Sequence, residues 1–426
     1  MDEEPPTDGT VRLSHQGLPV RSLSATVLTD GGAPDALTSK HDITFGSAEG
    51  NDVVLSDPTV SAFHACVSRG SDGLLVRDLG STNGTSVGTV RFHDAAVVTP
   101  PGSVLAMGHT RVRIDDGSVV LVDHGDTKFG AVLGVSPPMR RIFATLRRLA
   151  PSDMPSLILG ESGTGKERVA RAIHDASARA NGPWEVVDCG ALTPQLFASE
   201  LFGHVRGSFT GATRDHVGAF ARASGGTLFL DEVGDLPPEI QSALLGALER
   251  KRVRPVGSKT DVPIDVRVIA ATSRDLRKAV NANAFRLDLY YRLAVVLLEL
   301  PPLRARPEDI PILAEHFLRE VDANVPLASI LPAEELARLM THDWPGNARE
   351  LRNTVLSALT LGTFENGDAT EMPSFRQAKR AAVDAFEAQY LRKLLESTSG
   401  NVRAAARAAN MDRKYLTQLL ARHQLK

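Results

Sequence analysis

A glycine-rich loop near the middle of this 426-residue chain has the composition of a phosphate-binding site. It follows the apolar segment 156–159 and precedes the helical pattern 168–180. Glycines at such a junction let backbone N–H groups converge on phosphate oxygens, and a lysine at its end neutralises the β- and γ-phosphates. The loop therefore predicts nucleotide binding by Gly160, Glu161, Ser162, Gly163, Thr164, Gly165 and Lys166.

Two carboxylates that could complete a hydrolytic site end a second apolar segment, 227–230. Asp231 would hold Mg2+, directly or through water, and Glu232 would orient and activate the attacking water. Such a pair is by itself often only a solvated strand end, but here it lies 65 residues after Lys166. The strict loop motif continues with Ser or Thr, whereas Glu167 stands there, so the usual hydroxyl ligand of magnesium is missing.

Arginines further along the chain could act on the same phosphates from another subunit. Arg286 and Arg292 flank a buried segment, and Arg304 and Arg306 follow it. An arginine supplied across a subunit boundary stabilises charge on the γ-phosphate, an effect of roughly 10³–10⁵ in rate. Each of them could equally be a surface ion-pair partner.

Between the two catalytic segments lies a loop that two glycines bracket. It carries one aromatic ring and one hydroxyl at its tip, and its residues are Gly207, Ser208, Phe209, Thr210, Gly211 and Ala212. Because this loop is inserted into a nucleotide-hydrolysing domain, the nucleotide can move it and it can touch a partner.

Composition limits the other classes of function. Acids outnumber bases by 51 to 48, but residues 374–426 carry 11 Lys/Arg against 4 Asp/Glu, which favours a polyanionic partner there. Two distant cysteines, Cys66 and Cys189, argue against a disulfide framework and fit a reducing compartment. The acidic N-terminus and the lack of a long apolar run predict a cytoplasmic protein without a membrane partner.

Elements of three kinds must position these residues. Short alternating segments between turn clusters predict an all-β sandwich, alternating helices and buried strands predict an α/β domain, and helical patterns follow. The predicted parts are a disordered tail (1–20), the sandwich (21–117), a linker (118–129), the α/β domain (130–305), a helical lid (306–363), a linker (364–373) and an all-α region (374–426).

The region from Phe129 to about Leu361 resembles the AAA+ domain of sigma-54-dependent transcription activators. The matching motifs are GESGTGKE at 160–167, SELFGH at 199–204, GSFTGA at 207–212, GGTLFLDEV at 225–233, FRLDLYYRL at 285–293, LPPLRARPEDI at 300–310 and WPGNARELRN at 344–353. Glu after the loop lysine belongs to the family pattern, so Glu167 is compatible with ATP binding.

The resemblance implies roles for individual residues. The loop 160–167 would bind ATP, Asp231 and Glu232 would serve magnesium and water, Arg286 and Arg292 would be trans-acting fingers, and Arg349 would be a lid sensor. The loop 207–212 would contact sigma-54 RNA polymerase, with Ser208 where the family has Ala. Active members form rings, so we expect a homo-oligomer between a dimer and a hexamer.

Two departures from the family pattern affect the predicted catalytic site. Asp188 stands where the family has an Asn that holds the catalytic Glu, and its like charge is expected to raise one carboxyl pKa. Ser273, after Thr272, replaces the usual sensor Asn with a shorter hydrogen-bonding side chain.

Residues 23–114 resemble a forkhead-associated (FHA) domain, through Phe45-Gly46-Ser47, Val60–His64 and the segment DLGSTNGT at 78–85. Such domains bind phosphothreonine peptides with loops at one edge of the sandwich. The resemblance assigns ligand contact to Ser61 and Asn83, and assigns a loop-bracing role to His64.

The FHA resemblance is incomplete at two positions. Ser47 replaces the common arginine, and Ala62 stands where a second basic residue often occurs. Arg69 or Arg77 is the candidate to compensate at the phosphate. The alternative is a sandwich that docks on the ATPase and binds no phosphopeptide.

The C-terminal segment 399–423 is consistent with two short helices about a turn, with Asn410 at the turn and Asp412 as an N-cap. It resembles a Fis-type helix-turn-helix, and the preceding helix 378–397 could pair protomers. A basic helical hairpin alone is often just a solvated surface. Behind an ATPase it predicts double-stranded DNA binding by Arg413, Lys414, Thr417, Gln418 and Arg422.

These predictions describe an ATP-dependent activator that binds upstream DNA and remodels sigma-54 RNA polymerase, gated by the FHA domain. One alternative is a phosphopeptide-responsive DNA-binding regulator or repressor with a weak or vestigial ATPase, which Asp188 and Ser273 support. A general protein-unfolding ATPase does not explain the basic C-terminal hairpin.

Overall fold

The computed structural model describes most of the first 361 residues and a few positions beyond them. The described ranges are 18–28, 35–39, 42–70, 73–122, 126–190, 194–321, 327 and 331–361, with positions 391, 398, 402, 409, 411 and 420. The chain divides into two compact units, Met1–Thr363 and Phe364–Lys426. The predicted DNA-contacting residues lie outside the described residues.

The N-terminal part is a sandwich of two sheets, as predicted. Its strands are β1 Leu18–Leu28, β2 Asp35–Ser39, β3 Asp42–Gly46, β4 Val53–Val54, β5 Ala65–Arg69, β6 Leu74–Asp78, β7 Thr85–Val87, β8 Val90–Phe92, β9 Ala96–Thr99, β10 Val104–Met107 and β11 Thr110–Val122. One sheet has the order β2-β1-β11-β10-β7-β8 and the other has the order β4-β3-β5-β6-β9. The alternate residues Val67 and Val76 are fully buried in the core between the sheets.

The strand bounds differ from the predicted domain limits. Strand β1 begins at Leu18, inside the segment predicted as a tail, and β11 continues to Val122, into the predicted linker. These two strands pair with each other over almost their whole length, with one irregularity between Arg21 and Leu23. Cross-strand pairing therefore extends both strands beyond the apolar pattern that is visible in the sequence.

The central part is a parallel α/β domain. Its elements, in chain order, are β12 Lys128–Phe129, β13 Val132–Leu133, α1 Pro137–Leu149, β14 Ser156–Leu159, α2 Lys166–Asp175, β15 Trp184–Asp188, α3 Pro194–Phe202, α4 Ala219–Arg222, β16 Thr227–Asp231, α5 Pro238–Arg250, β17 Arg252–Val253, β18 Val262–Pro263, β19 Arg267–Thr272, α6 Leu276–Asn281, α7 Leu287–Leu293 and β20 Val296–Glu299. The sheet order is β15-β16-β19-β14-β20. Strands β14 and β19 are buried along their whole length, which explains the apolar runs 157–159 and 268–271 within them.

Strand β20 is not predicted from the sequence. In the sequence, the apolar run 295–300 before Pro301 indicates only that it is too short to cross a membrane. In the structure β20 pairs in parallel with β14 and is the edge strand of the sheet. A short apolar run is ambiguous between strand and helix until its neighbours are known.

The lid follows as α8 Ile310–Val321, α9 Ala333–Thr341 and α10 Asn347–Leu361, all within the predicted range. Trp344 is buried in the turn before α10, and its indole N–H donates to the Leu339 carbonyl at 2.8 Å. Among the helices of the described ranges, none has the length and apolar content that crossing a membrane requires.

Candidate nucleotide-hydrolysis site

A cavity of about 370 Å³ lies where the carboxyl ends of the parallel strands meet the lid. Open parallel sheets bind ligands at this edge, and the volume is within the range of small-molecule sites. The cavity brings together the predicted residues Ser162, Gly163, Thr164, Gly165, Lys166, Glu167, Asp231, Glu232 and Arg349. An apolar wall of Val132, Leu133, Met139, Leu313 and Phe317 completes it.

The glycine-rich loop adopts a conformation that depends on its glycines. Gly163 and Gly165 have φ angles of +79° and +101°, in the left-handed region. A Cβ atom on Gly163 would also lie 2.3 Å from the Gly346 carbonyl oxygen of the lid. Helix α2 begins at Lys166, so the free N–H groups of its first turn lie in the cavity wall and favour an anion.

Lys166 and Glu232 face each other across this cavity. The Lys166 ammonium lies 3.2 Å from a Glu232 oxygen and donates to the Gly160 carbonyl at 3.0 Å. The Glu232 carboxylate also accepts from the Ser273 N–H at 2.8 Å and from the Ser273 hydroxyl at 2.9 Å. Strands β16 and β19 thus hold the predicted base between them.

The two carboxyl groups at the end of β16 have pKa values that move apart. Burial acts to raise the pKa of Glu232, but the Ser273 N–H and the Lys166 charge outweigh it and lower the pKa. Burial and the neighbouring Glu232 charge raise the pKa of Asp231. Glu232 is therefore ionised at neutral pH, as a general base must be.

Asp188 does not hold Glu232 in this structure. Its carboxylate accepts from the Gly190 N–H at 2.9 Å, while its backbone pairs with Asp231 in the β15–β16 ladder. The pKa that is raised is that of Asp231, where burial and Glu232 act more strongly than the Asp188 charge. Ser273, which departs from the family pattern, contacts the Glu232 carboxylate, and the Thr272 hydroxyl donates to the same oxygen at 3.3 Å.

For a magnesium ion, the cavity offers the Asp231 carboxylate. The described residues contain no group of three or more His, Cys, Asp or Glu side chains that could hold a metal. Mg2+ usually binds through one or two carboxylates together with substrate phosphates and water, and Asp231 beside the phosphate loop fits that pattern.

Contacts between the loop and the lid are not predicted from sequence. Glu161 accepts from both terminal nitrogens of Arg304, at 2.9 and 2.5 Å, and from the Asn347 amide at 3.1 Å. Arg349 donates to the Ser162 hydroxyl at 3.0 Å, and the buried Arg306 donates to the Thr164 carbonyl at 3.0 Å. The side-chain hydrogen bonds of Glu161 are therefore with Arg304 and the lid residue Asn347, so its predicted ATP-binding role is indirect.

We expect Arg304→Ala to raise the KM for ATP by about two- to fivefold, with little change in kcat, because a partly exposed ion pair is worth about 0.4–1 kcal/mol. The change would loosen the lid against the loop. Steady-state ATP hydrolysis measures it. Arg319→Ala, which breaks the exposed lid pair with Glu315, is the matched control. Equal KM values for the two variants would contradict a lid-holding role for Arg304.

The candidate fingers lie away from the cavity of their own chain. Arg286 is exposed and donates to Asp288 at 2.6 Å, and Arg292 is exposed and donates to the Leu248 carbonyl at 3.0 Å. Neither lines the cavity. Any action of theirs on a γ-phosphate requires a neighbouring subunit.

The loop 207–212 folds back at its base and exposes its tip. The Gly207 N–H donates to the Ala212 carbonyl at 2.8 Å, and both Gly207 and Gly211 have left-handed φ angles. The Phe209 ring packs edge-on against His204 with a centroid distance of 5.0 Å. Thr210 is exposed.

The predicted FHA residues meet at one edge of the sandwich. The Ser61 hydroxyl accepts from the Thr82 N–H at 2.9 Å, and the Ser47 N–H donates to the Ser61 carbonyl at 3.0 Å. The Asn83 amide donates to the Thr59 carbonyl at 2.8 Å. His64 accepts from the Ser61 N–H at 3.1 Å, which is the bracing contact predicted for it.

Of the two arginines considered for this edge, Arg77 lies in β6 opposite Cys66, and Arg69 lies elsewhere. Its guanidinium pairs with Asp116, because β5 carries it to the end opposite Ser61. Arg91, at the centre of β8, donates instead to the Asn83 carbonyl. No motif in the sequence marks Arg91, since it reaches this edge only through the β7–β8 pairing.

Three family models match the chain: the sigma-54 interaction domain at residues 132–299, the AAA+ ATPase lid domain at 304–389 and the FHA domain at 43–108. The transcriptional regulatory protein GlrR of Escherichia coli K12 is 46% identical over 307 residues, which cover 69% of this chain and 68% of GlrR. The chain belongs to the family of sigma-54-interacting transcriptional regulators. Another member, ZraR of Salmonella typhimurium, is 43% identical over 328 residues, covering 74% of this chain and 73% of ZraR.

A solved structure similar to this regulator is NtrX from Brucella abortus in complex with ATP. It is 36% identical, has a TM-score of 0.51, and the match covers 70% of each chain. The three matching family models and the observed sheets and helices confirm the predicted fold, an FHA sandwich with a sigma-54-type AAA+ domain and its helical lid.

Proposed function

We propose that this sigma-54-interacting regulator hydrolyses ATP in a ring and uses the energy to open promoters that are held by sigma-54 RNA polymerase. The observation that carries the proposal is the position of the Glu232 carboxylate in the cavity, where the Ser273 N–H donates to it at 2.8 Å and the Lys166 ammonium lies 3.2 Å away. That arrangement supplies both a base for water and a cation for phosphate. The ATP complex of NtrX supports the same substrate for this chain.

Each residue of the site would have its own role toward the phosphates, the attacking water or the metal. The loop amides and the Lys166 ammonium would bind the β- and γ-phosphate oxygens, after Lys166 exchanges its contact with Glu232 for the phosphates. Glu232 would orient a water molecule and accept its proton. A bound Mg2+, held by Asp231, would neutralise charge on the phosphates. Arg349 and Arg306 would keep the lid closed over the loop.

The fingers Arg286 and Arg292 would complete the site of the next subunit, which makes hydrolysis a property of the oligomer. Their exposure and their distance from their own cavity support this role. Because each site then contains residues from two subunits, two inactive variants can restore each other.

Mixing Arg292→Ala with Glu232→Gln tests this shared site. Either variant alone is expected to lose most ATP turnover. In mixed rings an Arg292→Ala subunit keeps its own Glu232 and receives a finger from its Glu232→Gln neighbour, so turnover returns. We expect about a quarter of wild-type turnover in an equal mixture if each site needs both groups intact. A mixture no more active than its components would rule out trans-acting fingers.

The protein would bind three kinds of partner: sigma-54, double-stranded DNA and a phosphothreonine-containing protein. The half-buried Phe209 and the exposed Thr210 at the loop tip would contact sigma-54, and the basic segment 374–426 would bind double-stranded DNA. The FHA domain would gate assembly, through a phosphothreonine-containing protein that Ser61, Asn83 and Ser47 would contact. An activator with these partners would work in the cytoplasm.

A vestigial ATPase is the weaker reading of the same site. Its support in the sequence is Asp188 and Ser273, yet Ser273 contacts the Glu232 carboxylate with both its N–H and its hydroxyl. The pKa of Glu232 is lowered even with Asp188 in place of the family Asn. Both departures are therefore compatible with a working base.

A further inference from the structure

The FHA sandwich and the ATPase share an apolar contact. Phe63 and Leu79 of the sandwich, 1% and 0% exposed, belong to the apolar cluster of the ATPase domain that contains Leu289 and Tyr290. The Phe63 ring lies 5.1 Å from the Tyr290 ring and 6.4 Å from the Tyr291 ring, centroid to centroid. We call this contact, formed by Gly50, Phe63 and Leu79 with Asn281, Tyr290 and Tyr291, the domain seam.

Asn281, the last residue of α6, makes the polar contacts at the centre of the seam. Its amide nitrogen donates to the Phe63 carbonyl at 2.5 Å and to the Leu79 carbonyl at 2.9 Å. Its amide oxygen accepts from the Phe63 N–H at 3.3 Å. At the edge of the seam, the Gly50 N–H donates to the Tyr291 hydroxyl at 3.2 Å. One side chain therefore satisfies backbone groups of two sandwich loops.

The sandwich side of the seam comes from the loops of the predicted ligand edge. Gly50 follows Ser47 in one loop, Phe63 follows Ser61 in a second, and Leu79 precedes Asn83 in the third. Ala62, where a basic residue often occurs in FHA domains, is partly buried against the ATPase cluster. A charged side chain there would lose its hydration, so the departure from the FHA pattern fits docking.

The ATPase side of the seam comes from two helices that continue into the hydrolytic machinery. Helix α6 begins three residues after Ser273, which holds Glu232, and its N-cap Asp275 accepts from the Arg277 N–H. Helix α7 has Arg286 at its N-cap and Arg292 in its last turn. The seam residues Tyr290 and Tyr291 lie between those two arginines.

We propose that the ligand edge of the FHA sandwich is also its docking surface for the ATPase, and that docking restrains ATP hydrolysis by holding α6 and α7. The proposal rests on the proposed function, because it takes Glu232 and both arginines as hydrolytic residues. In the docked arrangement Arg286 is paired with Asp288 and Arg292 with the Leu248 carbonyl of the same chain. Release of the seam frees α7 to turn these arginines toward a neighbour.

Two substitutions in the full-length chain test the restraint from opposite sides of the seam. Gly50→Glu adds a side chain whose Cβ atom would lie only 2.3 Å from the Tyr291 ring. The Gly50 backbone is outside the left-handed region, so the substitution strains the contact and not the backbone. Asn281→Ala removes all three amide contacts. Leaving such groups unpaired is expected to weaken docking roughly tenfold or more. We therefore expect each variant to hydrolyse ATP at least about threefold faster per protomer at low protein concentration, where assembly limits turnover.

Hydrogen exchange measures docking without ATP. The Phe63 amide, which donates across the seam, should exchange roughly tenfold faster in both variants, and the Gly50 amide should do so in Asn281→Ala. Gly70→Ala is the matched control, because its Cβ atom would meet nothing closer than 3.4 Å in a sandwich hairpin away from the seam. It should leave both exchange and turnover unchanged.

The outcomes separate the restraint from the proposed function. Faster exchange with unchanged or lower turnover would overturn the restraint, and unchanged exchange in both variants would overturn the docking surface. Glu232→Gln in each background reports on hydrolysis itself. If it leaves turnover intact, the proposed catalytic site fails while the exchange result still decides docking.

Discussion

Glu232→Gln is expected to lower kcat for ATP hydrolysis by about 10²–10⁴ while nucleotide binding is retained, because a positioned general base contributes that much. The neutral amide cannot accept the proton of the attacking water. Loss of the Glu232 charge also removes the ion pair with Lys166, whose ammonium is then free to bind phosphate. Phosphate release measures kcat, and fluorescence of a labelled nucleotide measures binding.

Glu239→Gln is the matched control for this change, since Glu239 is exposed in the first turn of α5, outside the cavity lining. It should hydrolyse ATP like the wild type. A Glu232→Gln variant with kcat within about twofold of the wild type would leave the base unassigned, given the size of effect that a general base supplies.

Thr210→Ala is expected to abolish promoter opening while ATP turnover stays near that of the wild type. Thr210 is exposed at the tip of the loop 207–212 and does not line the cavity. Its hydroxyl is therefore available to a partner but not to the nucleotide. Permanganate reactivity of promoter DNA measures opening, and phosphate release on the same samples measures turnover.

Thr213→Ala is the control, because Thr213 is exposed three residues further along the same segment. It should open promoters normally. Loss of ATP turnover in Thr210→Ala would indicate that the loop serves hydrolysis rather than contact with the polymerase.

Much of the site could be predicted because parallel strands deliver their ends to one edge. The apolar segments that became β14, β16 and β19 are short and uninterrupted, and each ends at the residues with chemistry. Their order in the sheet did not need to be known. The apolar run that became β20 lacked a chemical motif at its end, so nothing in its sequence distinguished it from other apolar runs.

Contacts between distant segments could not be predicted in the same way. Arg304 reaches Glu161, and Asn281 reaches Phe63 across 218 positions, through side chains that look like ordinary surface residues in the sequence. Ser273 is an example of the opposite kind. It looks like a weakened sensor in the sequence, while in the fold its N–H and hydroxyl both reach the Glu232 carboxylate.

Promoter opening by the purified chain with sigma-54 RNA polymerase, on a template that carries a mapped upstream binding site, tests most directly whether ATP hydrolysis by this protein opens promoters. We predict permanganate-reactive DNA with ATP and wild-type protein, and none with a non-hydrolysable ATP analogue, with Glu232→Gln or with Thr210→Ala. Opening of the promoter by Glu232→Gln, or by the wild type without hydrolysable ATP, would contradict it.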